Sequence, residues 1–126
     1  MNREIKFRGQ QINTKKWIHG YLYREKGLYL ICENIRYAEK ELILLDTVGQ
    51  FTGLHDKNGK EIYEGDIVKY RDSRGQHIEN VIFDKGCFYA GMHWGSSTRV
   101  APKLINTRIS EVIGNIYDNS ELLGGE

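Results

Sequence analysis

From Gly49 to Gly95 a glycine recurs every four to eleven residues. Such spacing leaves room for strands of five or six residues between turns and little for a helix of ordinary length. The runs between these glycines suit strands. Ile67-Val68-Lys69-Tyr70, His77 to Phe83 and Cys87 to Trp94 are rich in β-branched and aromatic residues. The sharpest turn signal is Asn58-Gly59, a pair suited to a two-residue type I′ hairpin, in which both central positions need positive φ. Glu64-Gly65-Asp66 reads as a second tight turn, 71–76 as an exposed loop, and Asp84-Lys85-Gly86 and 95–98 as further turns. Short strands with turn residues every 8–12 positions predict an all-β chain.

The first half follows the same grammar. Ile5 and Phe7 alternate with charged residues, a period of two that predicts a half-buried first strand. Gly9 to Lys16 is polar and reads as a connection. Trp17 to Tyr23 reads as a strand that Gly20 is placed to bulge, and Lys26-Gly27 turns it into Leu28–Cys32, so 17–32 forms a hairpin. Residues 36–46 fit a short helix or an extended segment equally. Thr47 to Leu54 is strand-like, with glycines at 49 and 53. After Pro102 the chain forms a last strand pair or a short helix, then Glu111 to Tyr117, then a short helical turn in the tail. The whole predicts one domain, 1–126. A β-hairpin layer over 1–60 packs on a small five-stranded barrel of the Src-homology-3 type over 61–126.

Composition narrows the function classes. At 126 residues the chain is long enough for one real core. With 40% apolar and 28% charged residues it is globular, not disordered. The net charge of +1 gives no whole-molecule polyanion signature. The charge is uneven, however. Residues 1–26 hold Arg3, Lys6, Arg8, Lys15, Lys16, Arg24 and Lys26 against two glutamates, whereas 54–66 carries Asp56, Glu61, Glu64 and Asp66. Opposed segments of this kind pair within a chain or between subunits. Two distant cysteines make no disulfide framework. The charged N-terminus lacks the apolar core of a signal peptide, and the longest aliphatic run, residues 42–45, is far short of the ~20 that span a bilayer. The expected compartment is the cytoplasm, with no membrane partner.

Four constellations invite a functional reading. Asp56 to Ile67 fails the calcium-loop pattern at its fifth, sixth and twelfth positions. Glu64 and Asp66, with Asp56, offer paired carboxylates for acid/base work or a divalent ion, but Gly-Asp before apolar residues also opens a strand by an ordinary turn. The structural turn residues are then Gly53, Asn58, Gly59, Gly65 and Asp66. His19, His55, His77, His93, Cys32 and Cys87 show no zinc-ligand spacing, so no metal, cofactor or catalytic residue is assigned. The strip Lys6, Arg8, Lys15, Lys16 and Trp17 combines cations with a ring, the means by which single-stranded nucleic acid is held. The competing reading places Trp17, Tyr21 and Tyr23 on the core face of a strand.

The stretch Thr47 to Val68, with the opening Arg3-Glu4-Ile5-Lys6-Phe7-Arg8 and the closing Glu111 to Leu123, resembles the YopX family of small proteins carried by temperate phages and prophages. It departs from the family at Gly9-Gln10, where Ala-Trp is commoner, and 33–46 and 95–108 match nothing diagnostic. The resemblance implies an all-β fold with a Src-homology-3-type barrel and no established activity. The expected function is a non-enzymatic interaction protein in a bacterial host. It associates with itself and with a host or phage protein. The alternatives are a nucleic-acid-binding module and a divalent-metal enzyme using Asp56, Glu64 and Asp66.

Overall fold

The computed structural model describes residues 4–33, 40–84, 86–91 and 103–123. The chain forms two compact units, Met1–Gly53 and Leu54–Glu126. The turn expected at 95–98 lies outside the described residues.

In the first unit β1 (Phe7–Gln10), β2 (Trp17–Glu25), β3 (Leu28–Cys32), β4 (Lys40–Leu42) and the start of β5 (Gly49–His55) form an antiparallel sheet in the order β4-β3-β2-β1-β5. Tyr21 pairs with Cys32 and Glu25 with Leu28, which leaves Lys26 and Gly27 as a two-residue loop with φ of 50° and 80°. Positive φ at both positions is the type I′ signature. Gly20, at φ 151°, is the pivot of β2: residues up to it pair with β1, and residues after it pair with β3.

Ile18, Ile31 and Ile43 are buried together, with Phe7, Leu22 and Val48 packed on them. Because strand side chains alternate, burying Ile18 and Leu22 turns Trp17, Tyr21 and Tyr23 to the opposite face. Tyr21 is accordingly 48% exposed while Trp17 and Tyr23 are half-buried, so the ring stripe is not the face that packs on Ile31 and Ile43. Ile5 is also exposed and lies before β1, whose buried residues are Arg8, Gly9 and Gln10. Gly9 belongs to the strand, not to the connection: it pairs with Ile18, and a Cβ there would sit 2.2 Å from Ile43 Cγ2. Residues 40–42 are extended, so pairing with β3 outweighs the local helix preference of Lys40-Glu41-Leu42; residues 34–39 lie outside the described set. A 3₁₀ turn at Leu45–Thr47 follows, and the Thr47 hydroxyl accepts the Gln10 N–H at 2.9 Å.

In the second unit β5 ends at Leu54 and His55 and turns into β6 (Glu61–Tyr63). The turn corrects the sequence expectation. Gly59 N–H donates to Asp56 O, and only Gly59, at φ 85°, is left-handed; Asn58 is not. This is a type I turn followed by a left-handed glycine, the longer hairpin form. The Asp56 carboxylate selects it by accepting the backbone N–H of Asn58 at 2.8 Å and of Lys60 at 2.9 Å.

The remaining strands are β7 (Asp66–Asp72), β8 (Gly75–Asp84), β9 (Cys87–Ala90), β10 (Lys103–Leu104) and β11 (Glu111–Asn115), in the antiparallel order β10-β9-β8-β7-β11. Among the described residues the sheet is open, so the expected barrel closure is not found. Among the described residues β11 pairs with β7 alone and the two-residue β10 with β9 alone. Ile62, Val68, Val81 and Ala90 form this unit's core, with Ile105 and Val112 against them. Each fully buried aliphatic side chain contributes about 2 kcal/mol. The tail ends in a 3₁₀ turn at Ser120–Leu123.

Candidate functional site

Of the three carboxylates that the sequence offers for chemistry, Asp56 and Asp66 are engaged by the backbone, and Glu64 is half-buried beside Gly65. Asp56 is 6% exposed, and its Oδ2 accepts the Val112 N–H at 2.9 Å while Oδ1 holds Asn58 and Lys60. Burial alone would push its pKa up. The three N–H bonds and the charge of Lys60 outweigh that and hold it below the usual carboxylate value. Asp66 is 2% exposed and accepts the Tyr63 N–H at 2.7 Å, next to Gly65 at φ 93°. Gly53, at φ 86°, lies within β5. No group of three or more His, Cys, Asp and Glu among the described residues is arranged to hold a metal ion. Adding magnesium, manganese, calcium or zinc is therefore expected to leave the melting temperature unchanged. A rise with any of them would restore a metal role to these acids.

The N-terminal cations are placed unequally. Arg8 is 8% exposed, with its guanidinium 4.6 Å from the centre of the Trp17 ring. Lys6 pairs with Glu4 at 3.5 Å and lies 5.3 Å from the Phe51 ring centre. Lys15, at φ 62°, donates from Nζ to Ile12 O at 2.9 Å, and Lys16 is exposed beside it. Lys15 and Lys16 thus stand together on a surface loop, while Arg8 is buried against the Trp17 ring.

A cation-rich cleft that sequence reasoning missed lies in the second unit. Its volume is about 350 Å³, and Lys57, Lys69, Arg71 and Arg108 line it with Gln76 and Glu111. It exists because β11 stops pairing with β7 at Glu111–Lys69, whereas β8 continues alongside β7 to Asp72–Gly75. The chain before β11 instead folds into a turn at 106–110, closed by Ser110 N–H on Asn106 O at 3.1 Å. Lys57 is drawn to the same place because its N–H donates to Ser110 O at 2.9 Å. All four cations are exposed, and none has an ion pair among the described residues. Glu111 Oε2 accepts from Asn58 Nδ2 at 3.4 Å.

Tyr70, which also lines the cleft, stacks on His77 with centroids 4.8 Å apart, and its hydroxyl donates to Glu79 at 2.9 Å. Burial, with the Glu79 bond and charge and the Asp72 charge, raises the Tyr70 pKa well above its ordinary value, so this hydroxyl stays neutral. The spacing of Lys69 and Arg71 was the available sequence signal, since alternate residues of a strand share a face.

Fold and site first define a small all-β protein made of two open antiparallel sheets, with a basic cleft in the second. Within that class the chain belongs to the YopX family, whose model, described as YopX protein, matches residues 3–124. Among solved structures it is similar to the crystal structure of protein EF1440 from Enterococcus faecalis. The TM-score is 0.54 at 21% identity, over 95% of this chain and 98% of that one. At that identity the likeness shows a shared fold. No curated protein matches the chain. No helix among the described residues is long and apolar enough to cross a membrane.

Proposed function

We propose that the chain is a non-enzymatic interaction protein of phage or prophage origin that assembles with itself in the cytoplasm of a bacterial host. The observation that carries this is an exposed apolar strip on the face of the first unit's sheet opposite Ile18 and Ile31, a face on which Cys32 is buried. Registers Tyr23–Leu30–Leu42, Tyr21–Cys32 and Glu25–Leu28 put these residues on one side of β2, β3 and β4. Tyr21, Leu28 and Leu42 are exposed there at 48%, 54% and 38%. An apolar strip of this kind marks an association surface. Lys40 and Glu25, which pair on the same face, give it both signs of charge, so two copies meet without net repulsion.

The acidic centre supports electrostatic assembly less than its sequence suggests. Two of its four acids, Asp56 and Asp66, are buried within their own unit. Association is therefore expected to rest on apolar contact and to survive molar salt. Light scattering should give a mass several times 14.6 kDa in both low and molar salt. Tyr21→Glu with Leu42→Glu should return it to a monomer with little change in melting temperature. A wild-type chain that is monomeric at tens of micromolar ends the self-assembly proposal.

A further inference from the structure

We propose that the basic cleft of the second unit binds the phosphate backbone of single-stranded nucleic acid, an assignment that goes beyond the interaction reading and does not depend on self-association. Four exposed cations without described ion pairs converge there, against one carboxylate that is itself hydrogen-bonded. A cluster of like charges repels itself and destabilises the fold slightly, so its concentration in a cleft points to an anionic occupant.

Two features favour a polymer of phosphates over a single anion. Lys69 and Arg71 occupy alternate positions of β7, about 6.7 Å apart. That separation is close to the spacing of neighbouring phosphates along an extended strand. Arg108, from the 106–110 turn, and Lys57, from the β5–β6 hairpin, bring charge from two further elements. Arginine adds paired N–H donors suited to phosphate oxygens.

A second recess of about 230 Å³ adjoins the cleft and shares Tyr70 and Ile109 with it. Leu104, Ile105 and Ala90 give it apolar surface, Asn106 and Ser110 give it polar groups, and its one carboxylate, Asp72, is held by His77 at 2.8 Å and by the Arg74 N–H. A phosphate site beside a half-apolar recess fits a backbone whose bases are free to turn aside. In a duplex the bases stay stacked within the helix and are not available to such a recess.

The test is fluorescence anisotropy of a labelled twelve-nucleotide oligothymidylate titrated with the full chain at 50 and 200 mM salt. With three phosphates neutralised, affinity should fall about 20-fold between those conditions. Lys69→Glu with Arg71→Glu should weaken binding at least tenfold at 50 mM salt and flatten the salt dependence. Both side chains are exposed, so the melting temperature should hold; Arg108→Glu, on a separate element, provides a second variant. Inorganic polyphosphate should compete less well than unlabelled oligothymidylate of equal charge.

No binding at 50 mM salt overturns the proposal, as does wild-type affinity in both variants. Loss of binding in Lys15→Ala with Lys16→Ala, but not in the cleft variants, moves the site to the N-terminal strip and overturns it equally. Equal competition by polyphosphate overturns the nucleic-acid assignment. Light scattering on the same samples reports self-association separately, so the failure of either reading is distinguishable from that of the other.

Discussion

Asp56→Ala is expected to lower the unfolding free energy by about 3 kcal/mol and the melting temperature by on the order of 10 °C. The carboxylate accepts three backbone N–H groups, two within its own hairpin and one from Val112 at the start of β11. Alanine leaves all three without that acceptor, and hydrogen bonds to a charged group contribute about 1.5–3 kcal/mol each before water compensates for part of the loss. Asp56→Asn should fall between the two. Its amide oxygen still serves Asn58 and Lys60, but an NH₂ then faces the Val112 N–H.

The pH dependence has a definite sign. The folded pKa of Asp56 lies below its unfolded value, which is about 3.9. Its ionised form therefore stabilises the fold fully above about pH 5, and that contribution is lost as pH falls through the folded pKa. The gap in melting temperature between wild type and Asp56→Asn should be constant from pH 5 to 8 and shrink below pH 4. A gap that instead grows under acid, or an Asp56→Ala chain that melts with wild type, would show that the carboxylate does not join the hairpin to β11.

Gly20→Ala should be comparably severe, at about 3–4 kcal/mol. A Cβ there would lie 2.3 Å from the Cys32 carbonyl oxygen and 2.9 Å from both the Cys32 carbonyl carbon and the Glu33 Cα. All three atoms are backbone, so relief requires β2 and β3 to part, and φ at 151° is itself costly for any side chain. Gly27 is the control. It has φ 80° but nothing within 4 Å of a Cβ, so Gly27→Ala should cost only roughly 1–2 kcal/mol. Denaturant unfolding of the two variants decides the matter, and equal losses would remove the crowding argument.

Much of the local structure was legible in residue order. Gly-rich punctuation and β-prone runs mark β7, β8 and β9, and the turns at Gly27 and Gly86 fall where the sequence places these glycines. The errors have two causes. Asn58-Gly59 has the composition of a type I′ turn, but Asp56, two residues earlier, captures the backbone and selects another turn. Trp17, Tyr21 and Tyr23 form a period-two stripe, yet so do Ile18, Gly20 and Leu22. Alternation cannot say which of two stripes faces inward, and contact with Ile31 and Ile43 decided it.

The candidate cleft was less legible for a related reason. Sequence inspection rewards cations that are neighbours in the chain, as in residues 1–26, whereas Lys57, Lys69, Arg71 and Arg108 come from a hairpin, a strand and a turn. By itself the sequence determined that this is an all-β chain of the YopX family, where most of its turns fall and which runs become strands, because φ preference and side-chain alternation are local properties. Only the tertiary structure decided which face of β2 is buried, that Asp56 binds Val112, that the second sheet stays open and that four distant cations meet. Those outcomes depend on strand register and on where pairing stops, quantities fixed by contacts between residues tens of positions apart.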